Sequence, residues 1–231
     1  MLLEKGQRGL LVGQTGSGKT QNALFQLRES RVWPIIIFDT KIEPAFFDLP
    51  VKGDSIDVVE SFSDFEKQSK LRRNERPDFL IVRPSITESQ DPEQMDQYTQ
   101  LAYHKFGSGL FYYDEIYNWH NNGQAGPGLI GMLTRGRSKG KTVLMATQRP
   151  SWISRFCITE AQRFYIHWLA DQRDKKTLAS VIPGFDKLDT VPPYHFYYYS
   201  TTDHRAAPRI FKPVPLAPEI PEEEKVRPGW L

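Results

Sequence analysis

The chain has 231 residues, a length that suits one domain or one domain with an appendage. Its 30 lysines and arginines nearly balance 28 aspartates and glutamates, so a net charge of +2 gives no general attraction to nucleic acid or to an anionic membrane. The single cysteine, Cys157, excludes an intrachain disulfide and a cysteine-ligated zinc site, and no apolar run approaches the roughly 20 residues of a membrane-spanning helix.

Short apolar runs alternate with helix-like stretches, a pattern typical of a mainly parallel sheet with crossover helices. We predict strands at residues 9–12, 34–38, 79–82, 110–113, 142–146, 163–168 and 195–199. We predict helices at residues 19–29, 91–106, 129–135 and 171–180. Residues 118–131 are expected to form a loop that leads into a helix. The chain divides into an α/β domain over residues 1–207 and a Pro-rich extension over residues 208–231, expected to lack a core of its own.

The first strand is followed by the sequence GQTGSGKT, residues 13–20, which matches the phosphate-binding pattern G-x-x-x-x-G-K-[ST]. Glycines let backbone N–H groups converge on phosphate oxygens, and the following helix points its N-terminus at the same anion. We expect Lys19 to reach the β- and γ-phosphates of ATP and Thr20 to offer its hydroxyl to Mg²⁺. The nucleotide-binding residues predicted here are Gly13, Gln14, Thr15, Gly16, Ser17, Gly18, Lys19, Thr20 and Gln21.

Two carboxylates end the strand at residues 110–113. Asp114 is expected to face the Mg²⁺ ion, and Glu115 is placed to polarise an attacking water as a general base. Two acids at an exposed strand end are also common without any function. The phosphate-binding loop in the same chain favours the functional interpretation, which makes hydrolysis the predicted reaction.

A glutamine, Gln148, follows the strand at residues 142–146. If this strand neighbours the one that carries the acids, Gln148 lies beside them and can contact the γ-phosphate or the attacking water. The alternative is an ordinary turn residue before Arg149 and Pro150.

Four cations fall within residues 135–141. A charge run is usually a solvated loop. The functional alternative is an arginine finger, either Arg135 or Arg137, that reaches the γ-phosphate in a neighbouring subunit, since guanidinium donors match phosphate oxygens. Lys139 and Lys141 could instead contact a phosphate backbone.

The strand at residues 34–38 ends in Asp39-Thr40-Lys41. Asp39 could support the phosphate-binding loop or the Mg²⁺ site, and local capping is an equal alternative. Lys41 is expected to be exposed.

Together these residues resemble the FtsK/HerA superfamily of hexameric DNA-pumping ATPases. The matching segments are residues 13–20, 36–41 and 111–115, the arginines Arg135 and Arg137, and the sequence Ala-Thr-Gln-Arg-Pro at 146–150. The resemblance covers about residues 8–170. The small size and the lack of a membrane span look most like the genome-packaging ATPases of tailless double-jelly-roll viruses.

The resemblance implies a RecA-like P-loop NTPase of the ASCE type that binds ATP and Mg²⁺ and packages double-stranded DNA into a preformed capsid. It also implies a homo-oligomeric ring, expected to be a hexamer, that meets capsid or portal-vertex proteins. The implied place of action is the host cytoplasm and the packaging vertex of the virion. Two alternatives stay open: an assembly ATPase like those of filamentous phages, similar to zonula occludens toxin, and a P-loop nucleotide kinase.

Overall fold

The fold is built on short, mostly buried strands. The computed structural model describes residues 2–50, 54–203 and 207–216. Within these residues the strands are β1 (Arg8–Val12), β2 (Ile35–Phe38), β3 (Ile56–Val59), β4 (Phe79–Val82), β5 (Gly109–Tyr113), β6 (His120–Asn121), β7 (Gln124–Ala125), β8 (Lys141–Thr147), β9 (Arg163–Ile166), β10 (Phe196–Ser200) and β11 (Arg209–Phe211). The α-helices there are α1 (Lys19–Arg28), α2 (Phe62–Lys70), α3 (Ile86–Ser89), α4 (Pro92–Lys105), α5 (Pro127–Arg135), α6 (Arg155–Thr159) and α7 (Gln172–Ala179).

Nine of the described strands form one sheet in the order β11-β10-β9-β1-β8-β5-β2-β4-β3. All neighbours from β9 to β3 are parallel, whereas β10 and β11 join the edge antiparallel. The carboxyl ends of β1, β2, β5, β8 and β9 therefore meet at one edge, where loops of a parallel sheet form ligand sites. This arrangement confirms the predicted α/β fold with a central, mostly parallel sheet flanked by helices.

Alternate residues of each central strand pack into two different cores, one on each face of the sheet. In β1, Leu10 and Val12 join the core that contains α4 and α5, whereas Leu11 joins the core that contains α1. β8 follows the same rule with Met145 and Leu144. Burial on both faces explains why these strands are continuous apolar runs.

Several local features differ from the sequence prediction, among them the short helices α3 and α6, which were not predicted. The strand β3 and the helix α2 were not predicted, because residues 56–59 include an aspartate and the nine residues of α2 are mostly polar. The predicted loop at 118–131 contains the hairpin β6–β7, whose turn places Asn122 (φ 48°) and Gly123 (φ +76°) in the left-handed region.

The start of the predicted Pro-rich extension adds a strand to the sheet. β11 pairs with β10, and the ring of Phe211 stacks on Phe196 with 5.8 Å between centroids. Residues 217–231 lie outside the described residues, so the division of the chain at residue 207 stays a prediction. Of the helices in the described residues, none combines the length and the apolar character that crossing a membrane requires.

Candidate active site

The loop between β1 and α1 has a shape that depends on glycine. Gly16 (φ +76°) and Gly18 (φ +96°) adopt left-handed backbone conformations that other residues rarely adopt. A Cβ atom on Gly13 would lie 2.5 Å from Ser17 Oγ and 2.7 Å from the Cβ of His167. The backbone N–H of Gly13 donates to the carbonyl of Thr147, so the loop is fastened to the end of β8.

Polar groups in this loop are left free to meet an anion. Ser17 Oγ is buried and has no hydrogen-bond partner among the described residues. The helix α1 begins after Gly18, and no side chain caps its first N–H groups. Backbone donors, a glycine cradle and a buried hydroxyl together fit the phosphates of a nucleotide.

Lys19 is buried at the start of α1, with 5% of its surface exposed. Burial lowers the pKa of its ammonium, and the nearby Lys41 lowers that pKa further, while Glu115 and Asp114 act in the opposite direction. A cation in this position is stabilised by added negative charge, which a triphosphate supplies. Thr20 is half-buried next to it, and Gln21 is exposed.

The two predicted carboxylates end β5 at the same edge of the sheet. Asp114 is buried, and its Oδ1 accepts a hydrogen bond from the Tyr112 hydroxyl at 3.1 Å. Glu115 has a left-handed backbone (φ 60°). Its Oε1 accepts hydrogen bonds from Thr147 Oγ1 at 3.1 Å and from the backbone N–H of Gln148 at 3.2 Å.

The strand β8 lies between β1 and β5, so its carboxyl end joins the phosphate-binding loop to the acids. The Gln148 side chain accepts a hydrogen bond from Thr15 Oγ1 at 2.9 Å, and its backbone binds Glu115. The predicted neighbourhood of Gln148 and the acidic strand is therefore confirmed, and one glutamine touches both halves of the site.

A search of curated proteins found one relative that decides the family. The DNA packaging ATPase P9 of Enterobacteria phage PRD1 is 33% identical over 225 residues, which cover 93% of this chain and 90% of the relative. The chain belongs to the family of this DNA packaging ATPase. No family model matches the chain. The relationship confirms the predicted packaging family and its ATPase activity, with ATP and Mg²⁺. It favours this function over the two alternatives, the assembly ATPase and the nucleotide kinase.

Solved structures with the same fold include two of B204. The genome packaging NTPase B204 of Sulfolobus turreted icosahedral virus 2, in complex with ATP-gammaS, has a TM-score of 0.68 and 19% identity over 92% of this chain and 100% of B204. B204 of Sulfolobus turreted icosahedral virus, a DNA-packaging ATPase, has a TM-score of 0.66 and 18% identity with the same coverage. At this identity the likeness shows the fold, which is the RecA-like P-loop fold predicted above.

In the packaging ATPase, Asp39 takes the local role that was one of its two alternatives, and Lys41 is exposed as expected but also forms an ion pair. Asp39 is fully buried and accepts from Arg83 Nε at 2.9 Å and from the backbone N–H groups of Lys41 and Glu43, so it organises its own loop and not the phosphate-binding loop. Burial raises the pKa of its carboxyl, against the effect of these donors. Lys41 Nζ contacts Glu115 Oε2 at 3.2 Å, although 39% of the lysine side chain is exposed.

The structure places the two candidate arginine fingers far from the nucleotide cradle of the same chain. Arg135 ends α5, and Arg137 lies in the turn at 136–139, just before β8 begins. Both are exposed. A Cβ atom added to Gly6 would lie 3.3 Å from Arg137 Cγ, which sets this arginine beside the start of β1. They therefore occupy the amino edge of the sheet, opposite the cradle.

Lys141 does not have the exposure expected of a phosphate-backbone contact. It is fully buried, and its ammonium donates to the carbonyl oxygens of Ala102, Phe106 and Gly107 at 2.6–3.1 Å, at the end of α4. Burial lowers the pKa of Lys141 to about 8. This lysine is a helix C-cap, because the last carbonyls of a helix lack partners within the helix.

Three residues beside the cradle were missed by sequence reasoning. His167 follows β9, packs against Gly13 and lies 3.2 Å from Asn22 Nδ2 through its Nε2; burial lowers its pKa to about 4. Trp168 and Tyr194 are exposed and help to line a cleft of about 410 Å³ next to residues 15–17. The position of Trp168 at the carboxyl end of a predicted strand was the available signal; Tyr194 lies outside every predicted element.

Proposed function

We propose that this chain hydrolyses ATP to drive double-stranded DNA into a preformed viral capsid, as a homo-oligomeric ring. The observation that carries the proposal is the meeting of Lys19, Asp114, Glu115 and Gln148 at the ends of three adjacent strands. This set combines a phosphate-binding cation, a metal-binding carboxylate, a base and a polar contact for the terminal phosphate. The relative from phage PRD1 carries the name of a DNA packaging ATPase, which supports DNA as the cargo.

In this proposal each residue has a separate task. The backbone N–H groups of residues 13–18 and Lys19 bind the phosphates, and Thr20 and Asp114 hold Mg²⁺. A metal held there would supply charge neutralisation for the phosphates. Glu115 accepts a proton from the attacking water. At the same time the water oxygen bonds to the γ-phosphorus, and the bond between that phosphorus and the ADP oxygen breaks. Gln148 contacts the terminal phosphate or this water.

The cleft beside the cradle offers a place for the base of the nucleotide. Trp168 and Tyr194 present exposed aromatic rings there, 43% and 60% exposed, next to residues 15–17. An adenine ring is stabilised by stacking on such side chains. We assign the adenine to this cleft, with the phosphates in the loop.

The position of the arginines supports the ring in this proposal. Arg135 and Arg137 lie at the amino edge of the sheet, so an arginine that completes a nucleotide site has to come from a neighbouring subunit. Closed rings arise when such head-to-tail contacts repeat around an axis. We expect a hexamer that works in the host cytoplasm and meets capsid or portal-vertex proteins at the packaging vertex.

The test is the rate of ATP hydrolysis with and without duplex DNA. We expect duplex DNA to stimulate the wild-type chain. Glu115→Gln is expected to lower kcat by about 10²–10⁴-fold while ATP binding, measured by calorimetry, is retained, because the base is lost and the cradle is intact. The matched control is Glu60→Gln, an exposed glutamate that follows β3, the outermost strand of the sheet.

Two results would contradict the proposal separately. Normal turnover in Glu115→Gln would remove the catalytic assignment. A wild-type rate that does not respond to duplex DNA would argue against translocation, whatever the outcome with the variant.

A further inference from the structure

Lys41 is the ion-pair partner of both carboxylates at the end of β5. Its Nζ lies 3.2 Å from Glu115 Oε2 and 3.7 Å from Asp114 Oδ1. These are the carboxylates to which the proposed function gives the metal and the attacking water. A single ammonium therefore contacts both the carboxylate proposed to bind the metal, Asp114, and the carboxylate proposed to act as the base, Glu115.

The loop that carries Lys41 is fixed to the end of β5 by the side chains of neighbouring residues. Thr40 Oγ1 donates to the backbone carbonyl of Asp114 at 2.9 Å, and Asn118 Nδ2 donates to Thr40 Oγ1 at 2.9 Å. Asp39 accepts the backbone N–H of Lys41 at 3.3 Å and is itself paired with Arg83. The placement of Lys41 is thus built into the end of β2.

The other contacts of the acids leave a defined role for the lysine. Glu115 Oε1 already accepts two hydrogen bonds, from Thr147 and Gln148, so Lys41 takes the second oxygen. Asp114 Oδ1 is shared between the Tyr112 hydroxyl and the Lys41 ammonium. With Lys41 in place, both carboxylates have a positive or polar partner.

This arrangement is easily exchanged. The Lys41 side chain is 39% exposed, and solvent-screened ion pairs are weak. Lys41 lies close enough to Lys19 for its positive charge to lower the pKa of Lys19. A metal ion carried on a triphosphate brings both a stronger cation for the acids and negative charge for the lysines.

We propose that, in the nucleotide-free chain, the Lys41 ammonium occupies the place beside Asp114 that Mg²⁺ takes when it arrives with ATP, while it also pairs with Glu115. Lys41 thereby acts as a positioning residue that holds both carboxylates in place. It also prevents free divalent metal from binding to Asp114 until a nucleotide displaces the lysine. This inference rests on the proposed assignment of Asp114 to the metal.

The test measures metal binding by the full chain without nucleotide. Mn²⁺ is titrated into wild type, Lys41→Met and Lys41→Arg, and free Mn²⁺ is read by electron paramagnetic resonance. We expect Lys41→Met to bind Mn²⁺ about tenfold more tightly than wild type, because one positive charge near the metal is removed. Lys41→Arg keeps the charge and is expected to match wild type.

The double variant Lys41→Met with Asp114→Asn locates the effect. It is expected to lose the gain in Mn²⁺ affinity, since the gain depends on this carboxylate. Equal Mn²⁺ affinity in wild type and Lys41→Met would overturn the inference, and so would a gain that survives Asp114→Asn. Unchanged far-ultraviolet circular dichroism of the variants is the control for folding.

A different role for Lys41 gives a different pattern. If Lys41 binds phosphate and does not guard the acids, Lys41→Met raises the KM for ATP without any gain in Mn²⁺ affinity, which overturns the inference. Because no arm of the Mn²⁺ titration uses turnover, a failure here is separate from a failure of Glu115→Gln to abolish hydrolysis.

Discussion

The two ends of β8 carry different chemistry. At the carboxyl end, Thr147 and Gln148 bind Glu115 and the phosphate-binding loop of the same chain. At the amino end, Arg135 and Arg137 are exposed and touch no part of that site. A seven-residue strand spans roughly 23 Å, so one chain cannot bring both ends to one phosphate. This chain therefore carries the candidate catalytic residues at one edge of its sheet and two exposed arginines at the opposite edge.

The largest effect is expected when the arginines at the amino edge are removed. We expect Arg135→Ala or Arg137→Ala to lower kcat by about 10³-fold with ATP binding retained, since an arginine finger acts on the charge of the transition state. Mixing that variant with Glu115→Gln is expected to restore part of the ATPase rate, because some interfaces then pair an intact base with an intact arginine. The measurement is the steady-state rate as a function of the mixing ratio.

The matched control is Lys139→Ala, which removes an exposed cation from the same turn; this lysine lies 4.0 Å from the centre of the Tyr103 ring. We expect a near wild-type rate. Mixed samples that show no activity above that of the two parents, or full activity in both arginine variants, would contradict the division of labour between the two edges.

The positions of most candidate site residues in the fold could be predicted from the sequence, because each of them belongs to a local pattern. Residues 13–20 carry their own backbone requirements, and the acids follow an apolar strand directly. Because β8 lies between β1 and β5, Gln148 lies between the phosphate-binding loop and the acids. This placement was predicted only if the two strands were neighbours. The fold was accessible for the same reason, since strands buried on both faces are continuous apolar runs.

The features that sequence reasoning missed depend on contacts between distant residues. Lys41 was expected to be exposed, and its pairing with Glu115 joins residues 74 positions apart. Lys141 belongs to a charge run, and its burial reflects the unpaired carbonyls at the end of α4. His167 lies in a predicted strand, but nothing local to it indicates that it packs beneath the phosphate-binding loop. No periodicity or motif encodes which side chain meets which across the sheet.

His167 is a buried base beneath the phosphate-binding loop, and it makes the stability of this edge of the sheet depend on pH. Burial lowers its pKa to about 4, against 6.5 in the unfolded chain. Between these two pH values the unfolded chain binds more protons than the folded chain. The contribution of His167 to the free energy of unfolding is therefore fully present above pH 6.5. It falls by roughly 3 kcal/mol as the pH drops towards 4. Chemical denaturation at stepwise pH values measures this.

The control for that experiment is His167→Gln, which cannot titrate. We expect its unfolding free energy to fall less over the same pH range; the remaining slope includes His120, whose pKa burial also lowers. An equal slope in both proteins would show that His167 does not contribute to the acid sensitivity.

A substitution of Gln148 at the carboxyl end of β8 is expected to have a smaller effect. Gln148→Ala is expected to lower kcat by about tenfold with little change in KM, since one hydrogen bond of about 1.4 kcal/mol to the terminal phosphate or the water is lost. The Glu115 contact to the backbone N–H of residue 148 survives this change. Gln97→Ala, an exposed glutamine on α4, is the control. A wild-type kcat would remove Gln148 from the site.

The smallest effect is expected in the cleft beside residues 15–17. Tyr194→Ala removes one ring and is expected to raise the KM for ATP about fivefold, since stacking on an exposed ring contributes about 1 kcal/mol. The kcat should hold, because the base is remote from the bond that breaks. Tyr194→Phe keeps the ring and should behave as wild type. If Tyr194→Ala instead lowers kcat at unchanged KM, the ring acts on the cradle through Gly18, which it contacts closely, and the adenine belongs elsewhere.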